Sequence, residues 1–239
     1  MSSLLILTGG SSGLGRAILR TAPRAGLRLD VSRSGPPPEA DRHIAVDLGE
    51  PSAWMTAGHA LRALITEEAW DELVFVHAAG TIEPIGFAGE VDDGSYQRSV
   101  LVGASGQVLG HHVLGALGDR ASAAQLVMVS SGAAGSVYAG WSSYGAGKAA
   151  LDHWVRNVGE EQRERGGARV LAVAPGTVAT SMQSAVRAAD PDSFPRISKF
   201  RSLYDDGALT DPDDAARALW HIIDDPSHAN GAIVDVRDI

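Results

Sequence analysis

The chain has 239 residues, 44% of them apolar and 21% charged, which is enough for one full hydrophobic core and short for two independent domains. Twenty lysines and arginines against 29 acids leave a formal charge of −9, so no general basic surface exists for a nucleic-acid backbone. With no cysteine, disulfides, thiolate chemistry and cysteine-ligated metals are excluded, and a cytoplasmic setting is the default expectation.

The opening residues, Met1 to Leu7, carry no basic leader, and their apolar run falls far below the roughly 18 residues of a membrane span. No other stretch reads as spanning, so no membrane partner is expected. Short β-branched or leucine-rich runs at 4–7, 27–32, 43–46, 73–76, 125–129, 169–174 and 232–235 read as seven strands. Residues 53–65, 144–165 and 213–223 between them show apolar positions at three- and four-residue intervals and read as helices. Strands that are apolar throughout, alternating with helices, predict a single α/β domain: a doubly wound, seven-stranded parallel sheet with helices on both faces. Gly35-Pro36-Pro37-Pro38 is a connector inside that domain. The pattern weakens over residues 181–210, read as a lid that contributes Met182, Phe194, Phe200 and Tyr204. Asp211-Pro212-Asp213-Asp214 then opens the last helix as cap and first turn, not as a metal site. His111 and His112 point about 100° apart on a helix and are not read as ligands; no metal is expected.

After the first strand comes Thr8-Gly9-Gly10-Ser11-Ser12-Gly13-Leu14-Gly15, leading into a helix. Gly9 allows the chain to reverse, Gly13 lets backbone amides approach a pyrophosphate, and Gly15 permits close helix–strand packing. A glycine-rich turn without a ligand has the same letters, so the surrounding residues decide. Tyr144 and Lys148 stand four residues apart on one helix face. A phenol titrates near 10, and bringing it near 7 takes roughly 4 kcal/mol, much of which a neighbouring cation is expected to supply. Ser131, thirteen positions before Tyr144, ends the fifth strand, where doubly wound sheets bind ligands.

The glycine turn, the Ser131-x12-Tyr144-x3-Lys148 spacing and Pro175-Gly176-Thr177-Val178-Ala179-Thr180 together resemble the short-chain dehydrogenase/reductase superfamily. The resemblance implies a Rossmann fold in which Ser131 orients a substrate carbonyl while Tyr144 protonates it and Lys148 assists and holds the ribose. It assigns Thr8, Gly9, Ser11, Ser12, Gly13, Leu14, Gly15, Ala79, Gly80, Tyr144 and Lys148 to cofactor binding, Asp47 and Leu48 to the adenine, and Pro175, Gly176, Val178 and Thr180 to the nicotinamide side. Arg33, following Ser32 at the end of the second strand and flanked by serine hydroxyls, favours NADP(H) by pairing with a 2′-phosphate. NAD(H) is the second choice, because Ser12 stands where many NADP-preferring relatives carry a basic residue and Asp30 shares a strand face with Ser32.

Two departures stand out. His77-Ala78-Ala79-Gly80 replaces the family's Asn-Asn-Ala-Gly, and the asparagine that completes the family's catalytic tetrad falls at Gly103. His77 is the tempting substitute. The segment around Trp141, Thr180-Ser181-Met182-Gln183, the Phe200-Arg201 region and the ending 231–236 resemble the benzil reductase branch related to sepiapterin reductase. That resemblance implies NADPH-dependent reduction of one carbonyl of an aromatic 1,2-diketone, benzil to (S)-benzoin, with Trp141 and Met182 at the substrate. Another carbonyl or alcohol such as a pterin, or a catalytically silent dinucleotide-binding sensor, are the other readings. Relatives pair through the helices after the fourth and fifth strands, so a homodimer or homotetramer is expected, with Gly103, Gly106 and Gly110 permitting close approach of a second backbone.

Overall fold

The computed structural model describes residues 2–118 and 124–238. Strands β1 (Ser3–Thr8), β2 (Leu27–Ser32), β3 (Arg42–Ala45), β4 (Glu72–His77), β5 (Ala124–Val129), β6 (Arg169–Ala174) and β7 (Ile233–Asp235) form one parallel sheet in the order β3-β2-β1-β4-β5-β6-β7. All seven expected strands are present, shifted by a residue at some ends. Helices α1 (Gly13–Arg20), α2 (Pro51–Glu67), α3 (Asp93–Leu117), α4 (Ser142–Arg165), α5 (Ser181–Ala188), α6 (Ile197–Asp205) and α7 (Pro212–Asp224) complete the framework.

The continuously apolar strands have a direct physical cause: both faces are covered. Leu4, Ile6, Leu73, Phe75, Val170 and Ala172 face a core with α2, α3 and α4, whereas Leu5, Leu7, Val74, Val76, Leu171 and Val173 face α1 and α7. The chain winds outward from β1 through β2 to β3, then returns to place β4 on the other side of β1. That reversal opens a crevice at the carboxyl ends of the strands, between the first βα turn and the loop after β4.

Residues 181–210 are not structureless: α5 and α6 lie within them, and both pack on a third cluster containing Ile82, Trp141, Phe194 and Phe200. The lid is therefore a helical cover with its own core. Asp211 caps α7 by accepting from the Asp213 amide at 2.8 Å, while Asp213 and Asp214 pair with Arg20 and Arg217.

Two expectations about α3 need correction. By length and composition alone α3 can cross a membrane, contrary to the sequence reading, yet it is packed between α2 and α4 as a core helix. Its glycines also do not face another chain. A Cβ at Gly103 would meet the Gly147 Cα at 3.3 Å, one at Gly106 the His77 ring at 2.6 Å, and one at Gly110 the Trp154 ring at 2.6 Å. The small residues serve contacts inside the chain, bringing α3 close to α4 and to the end of β4.

Candidate active site

One cleft of about 750 Å³ runs across the carboxyl ends of the strands, from Arg33 and Asp47 at one end to Trp141, Met182 and Phe200 at the other. Of the residues assigned to catalysis, cofactor or substrate, every one lines it except Thr8; of the expected lid residues, Phe194 and Tyr204 do not. Thr8 is wholly buried beneath the cleft: its hydroxyl pairs with His77 Nδ1 at 2.8 Å and accepts from the Ala79 amide at 3.2 Å. It braces the β1 and β4 ends instead of touching a ligand, because a buried hydroxyl must find partners where it sits.

The glycine turn fits a dinucleotide pyrophosphate. Gly9 has φ +79°, and a Cβ there would strike the Ala79 Cα at 2.8 Å; one on Gly15 would lie 2.1 Å from the Gly9 carbonyl. Ser12 occupies the N-cap of α1 without capping it through its side chain, which leaves the positive helix end available to an anion. Thr180 faces this turn, with its methyl 3.3 Å from where a Gly13 Cβ would be. Beyond β6, the bridge to Thr210 uses the Ala179 amide and the Thr177 carbonyl, so Val178's own amide stays out of the pairing.

Asp30 is not a competing ribose ligand. It is fully buried, accepting from the Gly10 amide at 2.8 Å and the Ser32 hydroxyl at 2.6 Å, with His43 Nδ1 at 2.9 Å. This network locks the glycine turn to β2 and β3. It also commits the Ser32 proton, so of the two serines flanking Arg33 only Ser34 keeps a hydroxyl donor for a phosphate. Arg33 itself is exposed on the cleft rim and makes no hydrogen bond among the described residues. Sequence reasoning missed Arg98 of α3, which lines the cleft and grips both oxygens of Asp47, at 2.5 and 2.8 Å. Burial works against ionisation of Asp47, but Arg98, the Gly49 amide and the charge of Arg33 outweigh it and hold the carboxyl below its ordinary range.

At the other end, Tyr144 and Lys148 project from α4 and Ser131 from the end of β5 into the same part of the cleft. The Ser131 hydroxyl accepts from the Ala133 amide at 3.2 Å and lies near enough to the phenol to act on it electrostatically. The expected acidification of Tyr144 by Lys148 is absent from this chain on its own. Burial pushes the phenol above its usual range, and the neighbouring Ser131 hydroxyl only partly offsets it. Lys148 Nζ donates to the Val129 carbonyl at 2.6 Å, at the end of β5. Burial lowers Lys148 to about 8, against the pull of Asp152 one helical turn on. Asp152, itself buried and pushed up by burial, is a further residue missed, although its four-residue spacing from Lys148 is visible in the sequence.

A small void of about 20 Å³ lies behind Lys148, lined among others by His77, Ser99, Gly103, Ser143 and Gly147. That is room for one water, in the place an asparagine at position 103 would occupy. His77 is neutral there: burial and the Lys148 charge lower it to about 3. Its Nδ1 is also engaged by the buried Thr8 hydroxyl, so the ring braces the ends of β1 and β4. The same shift makes an acid-stability prediction. Because the folded value lies below the ordinary 6.5, the unfolded chain binds the extra proton first, and stability present above pH 6.5 is lost as pH falls toward 3. His77→Asn, which keeps a partner for Thr8, is expected to move the acid-unfolding midpoint to lower pH in a circular-dichroism titration; an unchanged midpoint refutes the assignment.

The aromatic wall is Tyr138, Trp141, Phe200 and Tyr144, with Phe194 buried behind it; Trp141 sits 5.3 Å from both Tyr138 and Tyr144, ring centre to ring centre. Tyr204, expected in this wall, lies outside the cleft beneath the Arg187 guanidinium at 3.9 Å. Met182 is on the rim, 38% exposed.

Residues 3–191 match the short chain dehydrogenase family. The chain belongs to that family. This short chain dehydrogenase is 29% identical over 245 residues to the (S)-benzoin-forming benzil reductase of Bacillus subtilis, covering 98% of each chain. It is 27% identical over 257 residues to the sepiapterin reductase of Mus musculus, covering 99% of this chain and 97% of the other. A solved short chain dehydrogenase/reductase of Saccharomyces cerevisiae shares its fold with a TM-score of 0.81 at 24% identity, over 99% of this chain and 97% of that one. The family makes this chain an oxidoreductase with a small-molecule substrate.

Proposed function

We propose that this short chain dehydrogenase is an NADPH-dependent carbonyl reductase acting on aromatic ketones, with one carbonyl of a 1,2-diketone such as benzil as the reacting group. The observation that carries the reading is the convergence of Ser131, Tyr144 and Lys148 at the aromatic end of a cleft whose far end holds the glycine turn and Arg33. Likeness to a benzil reductase over nearly the whole chain supports the substrate class.

The residues divide the work as follows. Arg33 and the amides of the glycine turn bind the phosphates, and Asp47 and Leu48 flank the adenine. Lys148, anchored on Val129, reaches the ribose hydroxyls. Bound nicotinamide supplies the hydride. Ser131 donates to the substrate oxygen and fixes its position, and Tyr144 gives that oxygen its proton. A phenol held above its ordinary pKa by burial keeps this proton until the oxygen demands it, which suits reduction. Trp141 and Phe200 receive an aryl group and exclude water.

Following NADPH oxidation with benzil, with chiral analysis of the product, tests the reading. Turnover to (S)-benzoin is expected. Turnover of a pterin carbonyl but not of benzil moves the substrate class, and tight NADPH binding without turnover of any carbonyl makes the chain a sensor.

A further inference from the structure

We propose that the substrate end of the cleft selects aryl ketones bearing a carboxylate, or a like anionic group, about one aromatic ring beyond the reacting carbonyl; this rests on the reductase reading above. Two cations meet there from segments far apart in sequence: Lys199 from α6 of the lid and Arg237 just after β7. They flank Tyr138. Lys199 Nζ donates to the Tyr138 hydroxyl at 2.9 Å, and Arg237 lies within electrostatic reach of the same phenol. Arg196 adds a third positive charge 5.6 Å from the ring centre.

The two charges are offset unequally. Among the described residues Lys199 pairs with no carboxylate. Arg237 is gripped by both oxygens of Asp235, at 2.8 and 2.5 Å, so it adds little net charge although its side chain is 64% exposed. Glu83 is the acid lining this end, and its carboxylate accepts from the Ile85 amide. A local positive rim on a chain of net charge −9 focuses anions onto this mouth. The chemistry at Tyr138 is also complementary. Its oxygen is already an acceptor for Lys199, which leaves its own O–H to donate, so an arriving carboxylate meets a hydroxyl and the Lys199 ammonium together.

The order of the rings sets the shape of the ligand. The Trp141 ring centre lies 5.3 Å from that of Tyr144, where the carbonyl reacts, and 5.3 Å from that of Tyr138, where the anion lands. An aryl ring lying on Trp141 between the two carries its carbonyl to one and a para acid toward the other, whereas a plain diketone leaves the rim unused.

The probe is 4-carboxybenzil against benzil, with kcat/KM measured for each on the wild-type chain and on Lys199→Met and Arg237→Met. The wild type is expected to favour the acid, through KM, and Lys199→Met to lower the acid-to-neutral ratio about tenfold, as loss of one charge-assisted contact should. If Lys199 only pins the lid to Tyr138, both substrates fall together and the ratio does not move, which overturns the proposal; so does a wild type indifferent to the acid. Calorimetric titration of 4-biphenylcarboxylate, which cannot be reduced, separates this from the reductase reading. Its binding, weakened in Lys199→Met, with no turnover of any ketone, retains the anion site and refutes the reductase. Turnover of benzil with no binding of the acid does the reverse.

Discussion

Tyr144→Phe is expected to lower kcat/KM for a reducible ketone about a thousandfold, within the 10² to 10⁴ that a positioned general acid contributes, while leaving the Kd for NADPH within about twofold. The substitution removes only the hydroxyl. The ring keeps its edge contact with Trp141 at 5.3 Å, and Lys148 keeps its anchor on Val129, so the cofactor end of the cleft is untouched. What disappears is the phenol proton that the proposed reduction delivers to the substrate oxygen. Ser131 remains and can hydrogen-bond that oxygen, but its own proton is not acidic enough to neutralise it at a comparable rate. The loss therefore falls on kcat, and single-turnover NADPH oxidation reads it directly. A decrease smaller than tenfold places the proton donor elsewhere, and the void behind Lys148, with its room for one water, is then the source to examine.

The parts of this site that were legible in the sequence are those fixed by local geometry. Tyr144 and Lys148 share a helix face by their spacing alone, and a turn passing within 2.8 Å of another backbone admits only glycine at Gly9. The parallel sheet with helices on both faces followed from strands that are apolar throughout, though its strand order did not. What was not legible depends on burial and on partners distant in the chain. Nothing near Thr8 says that it will bury its hydroxyl against His77, 69 residues away. Asp30 reads as a possible ribose acid until Gly10, Ser32 and His43 are seen to use it. The proton affinity of Tyr144 rose because the ring is buried, while Lys148 donates to a strand-end carbonyl, and spacing determines neither. Arg98, Lys199 and Arg237 reach the cleft from α3, the lid and the end of β7, and single basic residues on such segments look like ordinary solvated charges.

Arg33→Ala should weaken NADPH binding about 30- to 100-fold and leave NADH nearly unaffected, the loss of roughly 2–3 kcal/mol that a charge-assisted contact to a phosphate carries. Arg33 is exposed on the rim and makes no hydrogen bond among the described residues, so its removal costs the fold little and the effect belongs to the ligand. Because the contact is solvent-exposed, the NADPH advantage of the wild type is expected to shrink as salt is raised, and the variant's affinities to become nearly salt-independent in comparison. Titrating both cofactors at two ionic strengths by quenching of tryptophan emission measures all four quantities. Installing the acid that an NAD-preferring site would carry, Ser32→Asp, is not the complementary experiment: its carboxylate would stand against Asp30, whose buried Oδ2 now accepts the Ser32 hydroxyl at 2.6 Å, and two like charges there would unseat the Gly10 amide. If the preference for NADPH survives Arg33→Ala, the phosphate is held by the other guanidinium at this end, Arg98, which must then release Asp47 to reach it. Asp47→Asn, by loosening that grip, would in that case strengthen NADPH binding, whereas with Arg33 as the phosphate ligand it leaves the ratio of the two cofactors unchanged.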